Sequence, residues 1–244
     1  MLPGIYLIMK KTDSEYFTSV KAVIFDFDGT LDGNGLNWTD RIYQQFNAGG
    51  LYLDYVKVLQ AAEKAKNMLH SDKNSRELNY TKTIEIFIYW IIRYMDIVIE
   101  NYLDVLVQPF IESTRKTVSK IKVTLAKLAK IYPLAIISNS FGNCHGWCSE
   151  LGIAEYFKFI IDSGLVEVRK PDLKIFALAL KEFGLKAFEC IYIGDNFNYD
   201  IVTSMQTGMK AVWINNQKIK DSKMGQMKKY HTVYNFKQIE ELLL

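Results

Sequence analysis

The stretch from Lys21 to Asp32, KAVIFDFDGTLD, restricts the fold more than any other part of the chain. Four apolar residues, Ala22 to Phe25, run unbroken into Asp26 and Asp28 and then into Gly29 and Thr30, the pattern of a buried strand that ends in a turn. Side chains alternate along a strand, so this spacing directs Asp26 and Asp28 to one side, a few ångströms apart. Two like charges held that close are unstable unless one takes a proton or a cation sits between them. Chemistry explains such a pair better than capping of a following helix, for which a single Asp would suffice.

Composition sets the outer limits. A chain of 244 residues, 49% of them hydrophobic, can bury a substantial core as one domain with a large insertion or as two unequal domains. Its 30 Lys and Arg against 27 Asp and Glu leave a net charge of +3, and no basic stretch alternates with aromatics as a nucleic-acid groove requires. The lysines between Lys210 and Lys229 read as a solvated surface. Three cysteines make no disulfide framework, which points to a reducing cytoplasm. Residues 1–20 read as an N-terminal extension, because the charges of MLPGIYLIMKK follow its apolar run instead of preceding it; Met9 is an alternative start. The apolar stretch from Ile84 to Val107 carries Glu85, Arg93, Asp96, Glu100 and Asp104, too much charge for a bilayer, and is expected to be a largely buried helix.

Taken in order, the glycine- and asparagine-rich GTLDGNGLN is a turn or mobile loop. Apolar residues then recur at three and four over Trp38–Gln45, Tyr52–Met68 and Thr81–Val107, with SDKNSRELN as a linking turn. Residues 36–108 therefore form a helical insertion, far longer than an ordinary loop. After Pro109 the rhythm changes: a helix over Ser113–Lys130, the apolar run Tyr132–Ile137 ending in SNSFG, a helix from Cys144 to Leu151, and the strand FKFIID. The loop SGLVEVRKP leads to an amphipathic helix over Asp172–Phe183 that Gly184 ends, then to the strand CIYIGD, a helix from Tyr199 to Thr207, and the strand AVWIN. Alternating strands and helices of this kind imply a three-layer α/β/α, Rossmann-like core with a parallel sheet, built from residues 21–35 and 109–244, with ligands at the carboxyl ends of the strands.

Every polar cluster lies at such an end. In order and position, DFDGT, SNS, RKP and GDNFNYD closely resemble the four motifs of the haloacid dehalogenase-like hydrolase superfamily, and the resemblance covers Lys21 to Asn215. Converging carboxylates with all-oxygen ligands call for a hard cation, Mg²⁺. The resemblance implies that Asp26 is a nucleophile forming an aspartyl-phosphate, and that Asp28 gives a proton to the leaving alcohol and takes one from water. It further implies a metal site made by Asp26, Asp28, Asp195 and Asp200, with Asp28 contributing its backbone carbonyl. Phosphate binding falls to Ser138, Asn139, Lys170, Gly29 and Thr30. The helical insertion resembles the cap of the superfamily's first subclass, which closes over the site. Relatives commonly place an apolar residue between DGTL and the next Asp, whereas here Asp32 follows at once and Gly33 and Gly35 come after.

The expected activity is Mg²⁺-dependent hydrolysis of a small phosphorylated metabolite by a cytoplasmic monomer or homodimer that binds neither nucleic acid nor membrane. Alternatives are a phosphomutase using the same intermediate, a 2-haloacid dehalogenase, which would not need Asp28, and a non-catalytic binding protein on the same fold. Cys144, His145 and Cys148 offer at most three metal ligands and read as a helix face, while His70 and His231 read as isolated surface residues.

Overall fold

The computed structural model describes residues 16–219 and 230–244. Most of the expected N-terminal extension, Met9 included, and half of the lysine-rich segment lie outside the described residues. At the centre is β1 (Ala22–Phe25), whose four residues are all buried. It is flanked in parallel by β2 (Leu134–Ser138) and by a later strand, Cys190–Gly194, with Ile24 in register with Ala135 on one side and Tyr192 on the other. No side chain of this strand meets water, which is why its sequence is continuously apolar instead of alternating.

Between β1 and β2 come the inserted helices: α1 (Trp38–Ala48), α2 (Tyr55–Ser71) and α3 (Tyr80–Tyr94), followed by one π-helical turn (Leu103–Val107) that runs directly into α4 (Gln108–Leu128). Local chemistry sets these boundaries. Asn37, Asp54 and Asn79 each accept a backbone N–H of the first turn that follows, so α2 begins at Tyr55 instead of Tyr52. The single helix expected over Thr81–Val107 is broken: the chain leaves α3 at Met95, and Asp96 and Asn101 take left-handed conformations, both with φ of 53°. Asp and Asn tolerate that region, so apolar periodicity carried no warning of the break. Pro109 sits in the first turn of α4, where its missing N–H costs nothing, and the helical run crosses residue 108 without interruption.

The remainder alternates as expected: α5 (Cys144–Glu150), β3 (Phe157–Asp162), the short α6 (Ser163–Val166), α7 (Leu173–Phe183), β4 (Cys190–Gly194), a π-helical turn (Phe197–Val202) with α8 (Thr203–Gln206), and β5 (Lys210–Ile214). A sixth strand and a last helix, β6 (Tyr230–Val233) and α9 (Lys237–Leu243), were not foreseen, because YHTV is short and half polar, as suits the edge position it takes. All pairings are parallel, in the order β3-β2-β1-β4-β5-β6. The chain builds outward from β1 in one direction and then in the other, so the topological switch falls between β1 and β4. Val23, Phe25, Ile136 and Ile193 face the core made with α4 and α9; Ile24, Ala135, Ile137 and Tyr192 face α7 through Ile175, Phe176 and Ala179. This is a three-layer Rossmann-like α/β fold. No helix among the described residues is long and apolar enough to cross a membrane.

One carboxylate ties the inserted helices to the turn after β1. Asp32, fully buried, accepts hydrogen bonds from Gly29 N (2.8 Å), Trp38 Nε1 (2.5 Å) and the Tyr80 hydroxyl (2.6 Å), with Arg41 Nη1 at 3.5 Å. Arg41 extends the network to α4 through Thr114 Oγ1 (2.6 Å) and Phe110 O (3.1 Å). Burial pushes the Asp32 carboxyl up to about 6, with Arg41 opposing and Asp28 adding to the rise. Asp32→Ala strips three buried donors and a guanidinium of their acceptor and is expected to destabilise the protein by about 3–5 kcal/mol. A urea titration would register this as a lower midpoint at unchanged slope, and Asp32→Asn should lose less.

Candidate active site

Strand β1 ends at Phe25, and the Asp26 N–H donates to Ile193 O at 2.9 Å, which pins the carboxylate beside the tip of β4. From β4 and its following turn come Asp195 and Asp200, and the three carboxylates lie within 4.8 Å of one another. Two glycines make this approach possible. Gly29 has φ of 87°, and a Cβ there would lie 2.3 Å from Asp195 Oδ2; a Cβ on Gly194 would lie 2.5 Å from Asp200.

The buried Lys170 ammonium stands between two of the acids, 2.6 Å from Asp26 Oδ1 and 2.6 Å from Asp200 Oδ1. Burial alone would lower its pKa, but Asp200 and Asp26 overrule that and raise it well above the ordinary lysine value. Burial pushes Asp26 up to about 7, with Lys170 opposing and Asp200 and Asp28 adding to the rise. Asp195, buried and facing Asp26, Asp200 and Asp28, is raised well above its usual range. Three carboxyl groups face one ammonium, and oxygen-only donors suit a hard divalent ion, so Asp26, Asp195 and Asp200 could hold a metal.

Asp28 is not part of that trio. The regular strand stops before it, and the Asp28 charge reaches Asp26 and Asp195 without joining their contact. Its carboxylate instead turns toward the inserted helices, accepting from Trp38 N at the start of α1 (2.9 Å) and lying 3.5 Å from Lys66 Nζ on α2. Three residues expected to touch phosphate have other occupations. Asn139 closes a two-bond ring with Lys170, taking its N–H (2.8 Å) and donating to its carbonyl (3.0 Å), and Thr30 donates to Asp195 Oδ1 at 3.0 Å. Gly29 uses its N–H on Asp32 (2.8 Å). Ser138, buried at the end of β2, has no side-chain hydrogen bond among the described residues.

Two supporting residues escaped the sequence reading. The Tyr192 hydroxyl accepts from Lys170 Nζ (3.0 Å) and donates to Ile137 O (3.1 Å), so it sets the height of the ammonium above the sheet. Its signal was a phenol inside an otherwise apolar strand, which needs a buried partner. Asp162, ending β3, accepts from Gly142, Cys144 and Gly164 N–H groups at 2.8–2.9 Å and so moulds the loop after Ser138.

Both histidines expected on the surface are packed. His231 lies against the Tyr16 and Phe17 rings, and His70 sets its ring on Phe141 with Nε2 3.2 Å from Arg169 Nη2. Cys144 and Cys148 are buried while His145 is exposed, so these three do not converge on a metal.

A profile of the haloacid dehalogenase-like hydrolases matches residues 23–214, which span every motif above. This chain belongs to that family. As a haloacid dehalogenase-like hydrolase it is 26% identical over 238 residues to glyceraldehyde 3-phosphate phosphatase of Methanocaldococcus jannaschii, covering 92% of this chain and 96% of the relative. It is 27% identical over 205 residues to phosphoglycolate phosphatase of Photorhabdus laumondii, covering 82% of each chain. Among solved structures it matches 2-haloacid dehalogenase of Pseudomonas syringae with a TM-score of 0.52 at 20% identity, over 92% of this chain and 98% of that one. A second dehalogenase matches with a TM-score of 0.62 at 15% identity, over 93% and 98%. These two share the fold.

Burial, with Arg169 and Lys66 nearby, lowers the His70 pKa from 6.5 to about 4. An NMR titration should find its imidazole neutral at pH 6. Because the folded value is depressed, stability is full above pH 6.5 and falls as pH drops toward 4, and His70→Gln should flatten that loss. The ring is partly solvated, so the loss is expected to be only about 1 kcal/mol.

Proposed function

We propose that the protein is a Mg²⁺-dependent phosphatase that hydrolyses a small phosphate monoester through a phosphoryl group carried on Asp26. The observation that carries this reading is the buried trio Asp26, Asp195 and Asp200 with one ammonium, Lys170, against three carboxylates. The surplus negative charge and all-oxygen donor set fit a hard divalent cation, with Asp26, Asp195 and Asp200 as its holders. Mg²⁺ bound there would offset the carboxylate charge and polarise the phosphoryl oxygens. The names of the curated relatives, phosphatases of glyceraldehyde 3-phosphate and phosphoglycolate, support the same substrate class.

In this reading an Asp26 carboxylate oxygen attacks phosphorus as the P–O bond to the leaving alcohol breaks, and Asp28 gives that alcohol its proton. Water then attacks the same phosphorus, Asp28 takes its proton, and the bond to Asp26 breaks to release inorganic phosphate. The free Ser138 hydroxyl and the Lys170 ammonium hold the phosphoryl oxygens. Asn139 and Tyr192 fix Lys170, and Thr30 fixes Asp195. The inserted helices act as a cap, with Asp28 facing α1 and α2 and so placed to sense their closure.

The test is phosphate release from p-nitrophenyl phosphate with and without Mg²⁺. Wild type should be active only with the metal and lose activity in excess chelator. Asp26→Asn should lose about 10³-fold or more, and Asp28→Asn about 10²–10⁴-fold, with the fold of each intact by circular dichroism. Release that persists in Asp26→Asn, or that ignores the metal, would contradict the assignment.

A further inference from the structure

Both carboxylate oxygens of Asp28 face the inserted helices, and they are held differently. Oδ1 accepts the N–H of Trp38, the first residue of α1, at 2.9 Å, while Oδ2 lies 3.5 Å from Lys66 Nζ of α2. The bond to Oδ1 comes from the backbone, so it persists as long as α1 keeps its first turn. Oδ2 is therefore the oxygen available for exchange of a proton. Among the described residues Lys66 is the only cation within ion-pair distance of it.

The fold fixes where the Lys66 ammonium lies. Ala61, Ala62 and Ala65 are buried on α2, and their small side chains let it pack closely on α3. One turn beyond Lys66, His70 sets its ring 4.6 Å from that of Phe141 in the loop after β2, which ties α2 to the core. On α3 the Phe87 ring lies beneath the ammonium, its centre 6.0 Å from Nζ. Asp28 and Lys66 each keep 26% of the side chain exposed, so small molecules can reach the pair.

Charge gives this contact a purpose. The Asp28 carboxylate is close enough to raise both Asp26 and Asp195, and Lys170 is committed to Asp26 and Asp200 at 2.6 Å from each. Asp28 thus draws its compensating charge from the insertion. A half-open pair at 3.5 Å contributes little to stability. It does orient Oδ2 while leaving it displaceable, which a tight buried pair would not.

We propose that Lys66 is a positioning residue for acid–base catalysis: it holds Asp28 Oδ2 in place for proton transfer and offsets the negative charge that appears there when the proton leaves. The proposal rests on the phosphatase reading, in which Asp28 is acid and then base, and adds which oxygen carries the proton and which residue governs it. As the P–O bond breaks, the proton on Oδ2 passes to the alcohol oxygen, the alcohol departs neutral, and the carboxylate left behind lies beside the ammonium. In the second step the same oxygen takes a proton from the attacking water. Because Lys66 belongs to α2, correct seating of the insertion is a condition of both transfers.

Leaving-group dependence tests this, with phenyl phosphate and p-nitrophenyl phosphate as a pair of similar shape. Nitrophenolate departs readily without a proton, phenolate far less so, and kcat/KM reports the steps up to that departure. The ratio of kcat/KM for phenyl over p-nitrophenyl phosphate should fall about ten-fold or more in Asp28→Asn and about five-fold in Lys66→Met, each variant being folded by circular dichroism. Lys66→Arg, which keeps the charge, should return the ratio to within about two-fold of wild type. Adding Lys66→Met to Asp28→Asn should cause no further loss, because Lys66 acts through Asp28. If Lys66→Met lowers kcat/KM for both esters by one factor while Asp28→Asn lowers the ratio, Lys66 is a substrate contact or a clasp between α2 and the core, and the proposal falls with the phosphatase reading intact. A further loss in the double variant would overturn it as well. If Asp28→Asn itself leaves the ratio unchanged, the acid role of Asp28 fails, and the proposal with it.

Discussion

The structure depends on a charge imbalance held in place by buried hydrogen bonds. A single ammonium, Lys170, sits 2.6 Å from each of two carboxylates, while a third, on Asp195, shares the same crevice without an ammonium of its own. An arrangement of this kind costs free energy by itself, because burial and mutual repulsion raise Asp26 and Asp195 together. The fold tolerates it because the parallel sheet delivers the groups on separate strands and loops, and because the sheet's apolar faces supply the compensating stability. Unfavourable electrostatics concentrated at the carboxyl end of a well-packed sheet is what a site built to receive a cation and an anion together would require.

Two backbone features convert the sequence order into that geometry. Gly29 and Gly194 leave out the two Cβ atoms that would otherwise overlap Asp195 and Asp200, so the turn after β1 and the end of β4 close to carboxylate contact. The turn after β1 is in turn anchored by Asp32, which takes the Gly29 N–H with one oxygen and donors from α1 and α3 with the other. Attachment of the inserted helices and alignment of Asp195 therefore share one short segment, residues 29–32. Asp28 lies in the approach to it, bonded to the first N–H of α1, so the proposed acid–base group is positioned by the insertion instead of by the sheet.

The layered fold was legible because its strands are fully buried: AVIF, LAIIS and CIYIG each announce a central parallel strand by lacking any alternation. Asp26, Lys170, Asp195 and Asp200 were legible because a strand end that carries charge has few structural uses. What the sequence concealed was allocation. Asn139 and Thr30 have the chemistry to hold phosphate, and only the three-dimensional arrangement reveals that their hydrogen bonds are committed to Lys170 and Asp195. Asp28 was assigned to one side with Asp26, and the sequence did not reveal that its carboxylate also meets Trp38 N and Lys66 of the insertion. The break after Tyr94 and the edge strand at Tyr230–Val233 escaped because left-handed Asp and Asn and short polar strands leave no periodic trace. His70 was dismissed for being solitary in sequence, although its partners, Phe141 and Arg169, are brought to it by the fold.

The account stands on Asp26 being the atom-transferring group, and its most direct test is to quench the protein in acid during turnover of a phosphate ester with Mg²⁺ and to map the phosphoryl group by mass spectrometry. The account predicts one phosphoryl group on the peptide containing Asp26, labile to hydroxylamine as an acyl phosphate is, and absent from Asp26→Asn. Phosphorylation of any other residue, or release of phosphate with Asp26 never modified, would contradict it.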